Sequence, residues 1–107
     1  GTAYTMEQDF YKGRLEERHG LPVTVPEASD RAQIHRIIFE ELVNGVIRAE
    51  SRQSYLDIVS AHAAGGCDSV ILGCTEIGIL LDESNSPLPV FDTALIHCEE
   101  ALHLALA

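Results

Sequence analysis

The chain has 107 residues, which is enough for one domain with a modest hydrophobic core. Its formal net charge of −10 argues against electrostatic binding of nucleic acid or of an anionic membrane surface. Its apolar content of 46% is ordinary for a globular protein, and no apolar run approaches the roughly 18 residues that a membrane-spanning helix needs. We therefore expect neither nucleic acid nor a membrane as a partner.

The first part of the chain carries two helical patterns separated by a β-rich run. The first helix is predicted from an N-cap at Thr5 to about Arg18, and Gly20 is placed to end it. Residues 22–25 read Pro-Val-Thr-Val, which predicts a short strand. Ser29 or Asp30 is predicted to cap the second helix. Its apolar positions recur at helical spacing up to Gly45, namely Ile34, Ile37, Ile38, Leu42 and the less regular Phe39.

The second part alternates helices with short apolar runs. A helix is predicted from Ser51 to Gly65, followed by a buried strand over residues 69–72. A short helix is predicted from Thr75 to about Leu81. Residues 89–91 form a second apolar run, and a last helix is predicted from Thr93.

This alternation is typical of a parallel sheet covered by helices on both faces. The predicted fold class is α/β, as a three-layer αβα arrangement with a short parallel sheet. Residues 1–107 are predicted to form a single α/β domain, with residues 93–107 as its closing helix. Two or three strands are few for a complete sheet of this kind.

The segment most informative about function is C-D-S-V-I-L-G-C-T-E, residues 67–76. Cys74 follows a predicted buried strand and opens a predicted helix, and open α/β sheets place their ligands at such points. Helix-terminal N–H groups and the helix dipole stabilise a thiolate, so Cys74 is predicted to be a reactive thiol. Position alone leaves open the alternative that Cys74 is a small buried hydrophobic residue.

The other cysteines, Cys67 and Cys98, are interpreted as packing residues. The three cysteines lack C-x-x-C spacing, and the five histidines form no H-E-x-x-H motif, so no metal site is predicted. No Gly-rich phosphate loop is present, so no nucleotide cofactor is predicted either. The odd number of cysteines favours free thiols and a cytoplasmic location. Three acidic pairs on predicted helices are interpreted as solvated faces: Glu16-Glu17, Glu40-Glu41 and Glu99-Glu100.

Several segments together resemble the aspartate/glutamate racemase family, whose members work without pyridoxal phosphate. The most specific are G-C-T-E-I and P-V-F-D-T-A-L-I-H, and three others fit in the same order: G-T-A-Y-T-M-E-Q-D-F-Y, P-E-A-S-D-R-A-Q-I and I-I-F-E-E-L-V-N-G. The resemblance implies two similar α/β halves, each giving one catalytic cysteine, and this chain resembles the second half. Since it opens on Gly1 rather than Met, we expect an upstream portion.

The resemblance implies an amino-acid racemase acting on aspartate or a related amino acid. A base on one face of the α-carbon removes the proton, and an acid on the other face returns one. Cys74 matches one of the two cysteines that exchange these roles. The second cysteine is expected outside this chain, so the chain alone is expected to be inactive. The expected partners are a small amino-acid substrate and, in a homodimer, a second copy of the protein.

The resemblance also suggests residues around Cys74. Thr75 is expected to bind the substrate carboxylate, and Thr2 and Thr5 match threonines that face the active site; simple capping and turn roles remain alternatives. Glu76 and Asp92 are possible borders of the site. A carboxylate close to Cys74 would raise the pKa of the thiol, so Glu76 is interpreted as making a structural hydrogen bond.

Two further readings stay open. Related isomerases, of the hydantoin racemase or maleate isomerase type, use the same cysteine placement on other substrates. A non-catalytic ligand-binding domain could also keep the same fold. A glutamate after the Cys-Thr pair, where glutamate-specific relatives carry histidine, favours the aspartate branch.

Overall fold

A computed structural model describes residues 1–107 and shows five α-helices, two 3₁₀ turns and two strands. The helices are α1 (Ala3–Glu7), α2 (Asp9–His19), α3 (Ala28–Glu40), α4 (Ala49–Ala64) and α5 (Thr93–Leu106). The strands are β1 (Val70–Leu72) and β2 (Val90–Asp92), and the 3₁₀ turns are Leu42–Asn44 and Ile77–Ile79.

The two strands form a parallel sheet. Val70 is opposite Val90 and Leu72 is opposite Asp92, so both strands end at the same edge. This sheet confirms the predicted α/β class, and each strand begins one residue later than its apolar run suggested. Because carboxyl ends of parallel strands meet at one edge, the residues after Leu72 and Asp92 are brought together there.

The strand predicted over residues 22–25 is wrong. The segment forms no regular element, and none of its backbone groups bonds to another backbone group. A strand exists only with a hydrogen-bonded neighbour, and Pro22 has no N–H with which to bond one.

Two of the predicted helix starts are also wrong. Thr2, not Thr5, caps the first helix, since its hydroxyl oxygen accepts a bond from the Thr5 N–H at 3.4 Å. Extended backbone at Gln8 then separates α1 from α2. Helix α3 begins at Ala28, so Ser29 and Asp30 lie inside its first turn, and the helix has no side-chain cap. The predicted stop is confirmed, because Gly20 has the left-handed φ of 63° that favours glycine.

The core lies between α3, α4, β1 and the chain that follows β1. Its twelve buried apolar residues are Met6, Ile34, Ile37, Ile38, Leu42, Tyr55, Ile58, Val59, Leu72, Ile77, Leu80 and Leu81. The regular stripe of α3 is therefore buried as predicted. Phe39 is not part of it and is 47% exposed.

Glu41 is buried, which corrects its interpretation as part of a solvated acidic pair. The Ser51 hydroxyl donates a hydrogen bond of 2.5 Å to its carboxylate, and Arg36 lies 3.3 Å from the same group. Chiefly through the Ser51 bond, these contacts lower the pKa of Glu41 below its usual value. The carboxylate thus ties the end of α3 to the first turn of α4.

Helix α5 contributes no buried residue to the core. Its predicted apolar stripe faces outward, with Leu95, Ile96, Leu102 and Leu106 all exposed. None of the five helices combines the length and the apolar character required to cross a membrane.

Candidate functional site

Cys74 lies two residues beyond β1, at the edge of the sheet where both strands end. It is half-buried and packs against the core, and its thiol donates a hydrogen bond of 3.0 Å to Glu76 Oε2. The structure therefore brings Cys74 and Glu76 into direct contact.

The helix predicted over residues 75–81 is absent. Residues 74–76 form a bend and a turn, and only the 3₁₀ turn Ile77–Ile79 follows. Consequently no α-helix dipole acts on the thiol. This tight 3₁₀ turn lies where three apolar side chains, Ile77, Leu80 and Leu81, are buried within five residues of sequence.

The pKa of Cys74 is raised, which overturns the expectation of a helix-stabilised thiolate. Burial is the largest cause, since it penalises the charged form, and the bond to Glu76 adds to it. The backbone N–H groups of Glu76 and Ile77 act in the opposite direction and are outweighed. Cys74 therefore rests as a thiol.

Glu76 is the ionised partner of that thiol. Hydrogen bonds from Cys74 and, secondarily, from Thr75 lower the pKa of its carboxyl group. Glu76 thus makes the hydrogen bond expected of it, but makes it with Cys74 itself. Thr75 caps no α-helix, because none begins there.

The amino-terminal residues Gly1 and Thr5 pack beside Gly73, the residue that precedes Cys74. A Cβ placed on Gly73 would lie 3.1 Å from Cγ2 of Thr5, and one on Gly1 would lie 3.6 Å from the Gly73 carbonyl oxygen. The hydroxyls of Thr2 and Thr5 are 3.3 Å apart. Thr5 therefore lies beside Gly73, and Thr2 contacts Thr5.

Asp92 borders the same region from β2. Its Oδ1 accepts a hydrogen bond of 3.2 Å from the Leu95 N–H and so caps α5. Its Oδ2 faces the 3₁₀ turn, since a Cβ on Gly78 would lie only 2.8 Å away. Next to it, the Thr93 hydroxyl donates a bond of 2.6 Å to the Leu72 carbonyl. Asp92 therefore combines the capping role with a position near the site.

Two residues that hold the site in place escaped sequence reasoning. His35 Nδ1 accepts a hydrogen bond of 2.9 Å from the N–H of Ala3, which fixes the first residue of α1. Arg52 Nε donates a bond of 2.9 Å to the Leu80 carbonyl, which holds the chain beyond Cys74. Their partners lie 32 and 28 residues away in the sequence, so no local pattern signals either bond.

The other two cysteines lie elsewhere. Cys67 precedes β1, at the opposite end of the strand from Cys74, with its sulfur 3.4 Å from Thr24 Oγ1 and 3.9 Å from His62 Nδ1. Cys98 is exposed on α5. Nowhere in the chain do three or more His, Cys, Asp or Glu side chains group in a way that could hold a metal ion.

Comparison with known proteins identifies the family. The model of the Asp/Glu/Hydantoin racemase family matches residues 1–101. The chain belongs to this racemase family. A Yersinia pestis protein assigned as an Asp/Glu racemase superposes on the whole chain with a TM-score of 0.93 and 46% sequence identity. An aspartate racemase homologue from Pyrococcus horikoshii gives 0.89 and 37%, again over the whole chain. This racemase-family chain spans 46% of the length of each of them.

Proposed function

We propose that this chain is the carboxyl-terminal half of an amino-acid racemase that acts on aspartate or a related amino acid. The observation that carries the proposal is Cys74, a half-buried thiol at the carboxyl edge of the sheet, hydrogen-bonded at 3.0 Å to Glu76. Family membership and the half-length match to two racemase-like structures support the same assignment.

In this proposal Cys74 transfers a proton to or from one face of the substrate's α-carbon. Because Cys74 rests as a thiol, it starts as the acid. A base on the opposite face removes the α-proton, the carbanion takes the thiol proton, and Cys74 is left as a thiolate. For the other enantiomer the thiolate form of Cys74 removes the α-proton instead.

The opposing base must come from outside this chain. Cys67 lies at the far end of β1, and Cys98 is exposed on α5, so neither shares an edge of the sheet with Cys74. We therefore propose a second cysteine in an amino-terminal half. The chain by itself is expected to exchange no α-proton.

The neighbouring residues have proposed roles in binding. Thr2, Thr5 and Thr75 would offer hydroxyl and backbone N–H groups to the substrate carboxylate. This role is supported by the position of Thr5 beside Gly73, the contact of Thr2 with Thr5, and the position of Thr75 directly after Cys74. Glu76 would keep the proton on Cys74 between turnovers. No cofactor is proposed, so carbonyl reagents that inactivate pyridoxal enzymes should leave the activity unchanged.

The deciding experiment measures deuterium incorporation at the α-carbon of L-aspartate and L-glutamate in D₂O with the full-length protein that carries this sequence. Exchange into one substrate should fall by about 100-fold or more in Cys74→Ser, the usual size of an acid–base contribution. Cys98→Ser, which alters an exposed thiol, is the matched control and should keep full exchange. Undiminished exchange of both the L- and the D-enantiomer in Cys74→Ser would exclude the assignment, because Cys74 is the proposed base for one of them.

A related isomerase is the second candidate, because the matched family model also covers hydantoin racemases. The same exchange experiment with a 5-substituted hydantoin, and isomerisation of maleate followed by proton NMR, would detect it. Activity on one of these with none on amino acids would move the proposal to that branch. A full-length protein inactive on all of these substrates would be a binding domain.

A further inference from the structure

The start of α1 is held by a side chain of α3, that of His35. Helix α1 has only five residues, and so short a helix is marginal without tertiary support. The first N–H groups of a helix also have no partner within the helix. His35 Nδ1 accepts a hydrogen bond of 2.9 Å from the N–H of Ala3, so α3 supplies the partner that the first residue of α1 needs.

This hydrogen bond fixes the protonation state of His35. A backbone N–H group can only donate, so Nδ1 must present its lone pair and the ring proton must lie on Nε2. A second proton would go to Nδ1, where it would replace the acceptor by a donor that faces the Ala3 N–H. The bond therefore exists only while His35 is neutral.

The imidazole ring is held between two aromatic rings. The ring of Tyr4 meets it edge-on at a centroid distance of 5.8 Å, and the ring of Phe39 lies 4.6 Å away at a tilt of 42°. Both aromatic side chains are exposed and His35 is only half-buried, so water reaches this cluster and the imidazole is free to titrate. The charged groups that line the cavity beside His35 are two carboxylates and two guanidinium groups, whose formal charges cancel: Glu7, Glu40, Arg31 and Arg36.

From the first turn of α1, contacts lead to Cys74. The Thr2 hydroxyl caps this turn by accepting the bond from the Thr5 N–H, and the two threonine hydroxyls lie 3.3 Å apart. The methyl group of Thr5 packs against Gly73, which precedes Cys74 in the chain. A shift of the first residue of α1 would therefore move both threonines relative to Gly73.

We propose that neutral His35 is a positioning residue for the candidate active site, holding α1 so that Thr2 and Thr5 stay in place beside Gly73. The role of His35 in turnover rests on the proposed racemase function. Because the threonines are proposed to bind substrate rather than to transfer a proton, loss of the His35 contact should raise KM more than it lowers kcat. Protonation of His35 removes the same contact, so KM should also rise at acid pH.

The test compares the full-length wild type with His35→Asn and His35→Leu. The side-chain oxygen of asparagine stands as many bonds from Cα as Nδ1 does, so it offers an acceptor that does not titrate, whereas leucine offers none. Deuterium incorporation at the α-carbon of L-aspartate and L-glutamate gives KM and kcat from about pH 5 to 8, the range in which histidine ordinarily changes charge. Hydrogen exchange of the Ala3 amide reports the bond without reference to activity, and the amides of α4 serve as the reference for an intact fold.

We expect His35→Leu to raise KM by about tenfold across the pH series, the size of one lost hydrogen bond. The wild type should match His35→Asn at pH 8 and approach His35→Leu at pH 5, while KM of His35→Asn stays constant. At pH 8 the Ala3 amide should exchange about tenfold faster in His35→Leu than in the wild type.

Equal Ala3 exchange in the wild type and His35→Leu would overturn the proposal. A wild-type KM with the same pH profile as that of His35→Leu would overturn it as well. A wild type that incorporates no deuterium would refute the racemase function and with it the role of His35 in KM, and the Ala3 amide would separately show whether His35 holds α1.

Discussion

The contact between Cys74 and Glu76 determines the resting chemistry of the candidate site. A thiol held at 3.0 Å from an ionised carboxylate is stabilised in its protonated form, and burial acts in the same direction. A cysteine in this state can donate a proton, whereas a cysteine nucleophile reacts as the thiolate.

We predict that Glu76→Gln lowers the pKa of Cys74, because the negative charge next to the thiol is removed. Each unit of decrease raises the thiolate fraction about tenfold at a pH below the pKa. The rate of alkylation by iodoacetamide, followed at each cysteine by mass spectrometry across a pH series, measures this change. Cys98 is exposed and serves as the reference in the same molecule. An unchanged pH profile for Cys74 would show that Glu76 does not control the thiol.

At the residue scale, some predictions made from the sequence agree with the structure and others do not. Cys74 and Asp92 lie at the edge of the sheet where both strands end, as the two apolar runs indicated, because strand ends are readable from apolar runs that stop at glycine or aspartate. Thr5 was expected near them only from the family resemblance. The state of the thiol was predicted wrongly, since it depends on whether residues 75–81 form a helix. The contacts of His35 and Arg52 depend on tertiary packing and have no signature in the neighbouring sequence.

At the scale of elements, the buried stripe of α3 was correctly predicted from its helical periodicity, whereas the apolar stripe of α5 is exposed. The strand over residues 22–25 was predicted wrongly, because strand formation requires a neighbour that local sequence does not specify. The prediction of a helix after Cys74 was wrong for a related reason. Seven residues can form an isolated turn or a helix, and packing of Ile77, Leu80 and Leu81 decides between them.

The start of α5 gives a prediction at this scale. Asp92→Ala removes the bond from the Leu95 N–H, and loss of such a cap costs about 1 kcal/mol. Because α5 buries no residue, the loss should appear as local fraying, with amides near Leu95 exchanging about fivefold faster. Asp92→Asn keeps a side-chain acceptor and is the matched control. If the amides near Leu95 exchanged equally fast in Asp92→Ala and Asp92→Asn, the asparagine carboxamide would cap α5 no better than alanine does.

At the scale of the whole molecule, the 107-residue chain produced by itself carries a free amino group on Gly1, which should make its free energy of unfolding depend on pH. Burial lowers the pKa of this group to about 6 from its ordinary value of 8.0. Between these values the unfolded chain binds more protons than the folded chain, so the free energy of unfolding should rise with pH from about 6 to 8 and level off above. The groups with lowered carboxyl pKa values, Glu41 and Glu76, change protonation at lower pH.

Urea unfolding at a series of pH values measures this slope. Acetylation of the Gly1 amino group is the control, because it removes the titrating group and should abolish the rise. A slope that survives acetylation would assign the pH dependence to another residue.

The exposed helix α5 has a consequence for how the molecule unfolds. Since α5 places no side chain in the core, its hydrogen bonds are not tied to the cooperative unit formed by α3, α4 and β1. A helix of 14 residues is marginal in water on its own. We therefore expect α5 to open at a lower free energy than the core formed by α3, α4 and β1. Unfolding of the chain should then deviate from a single two-state transition.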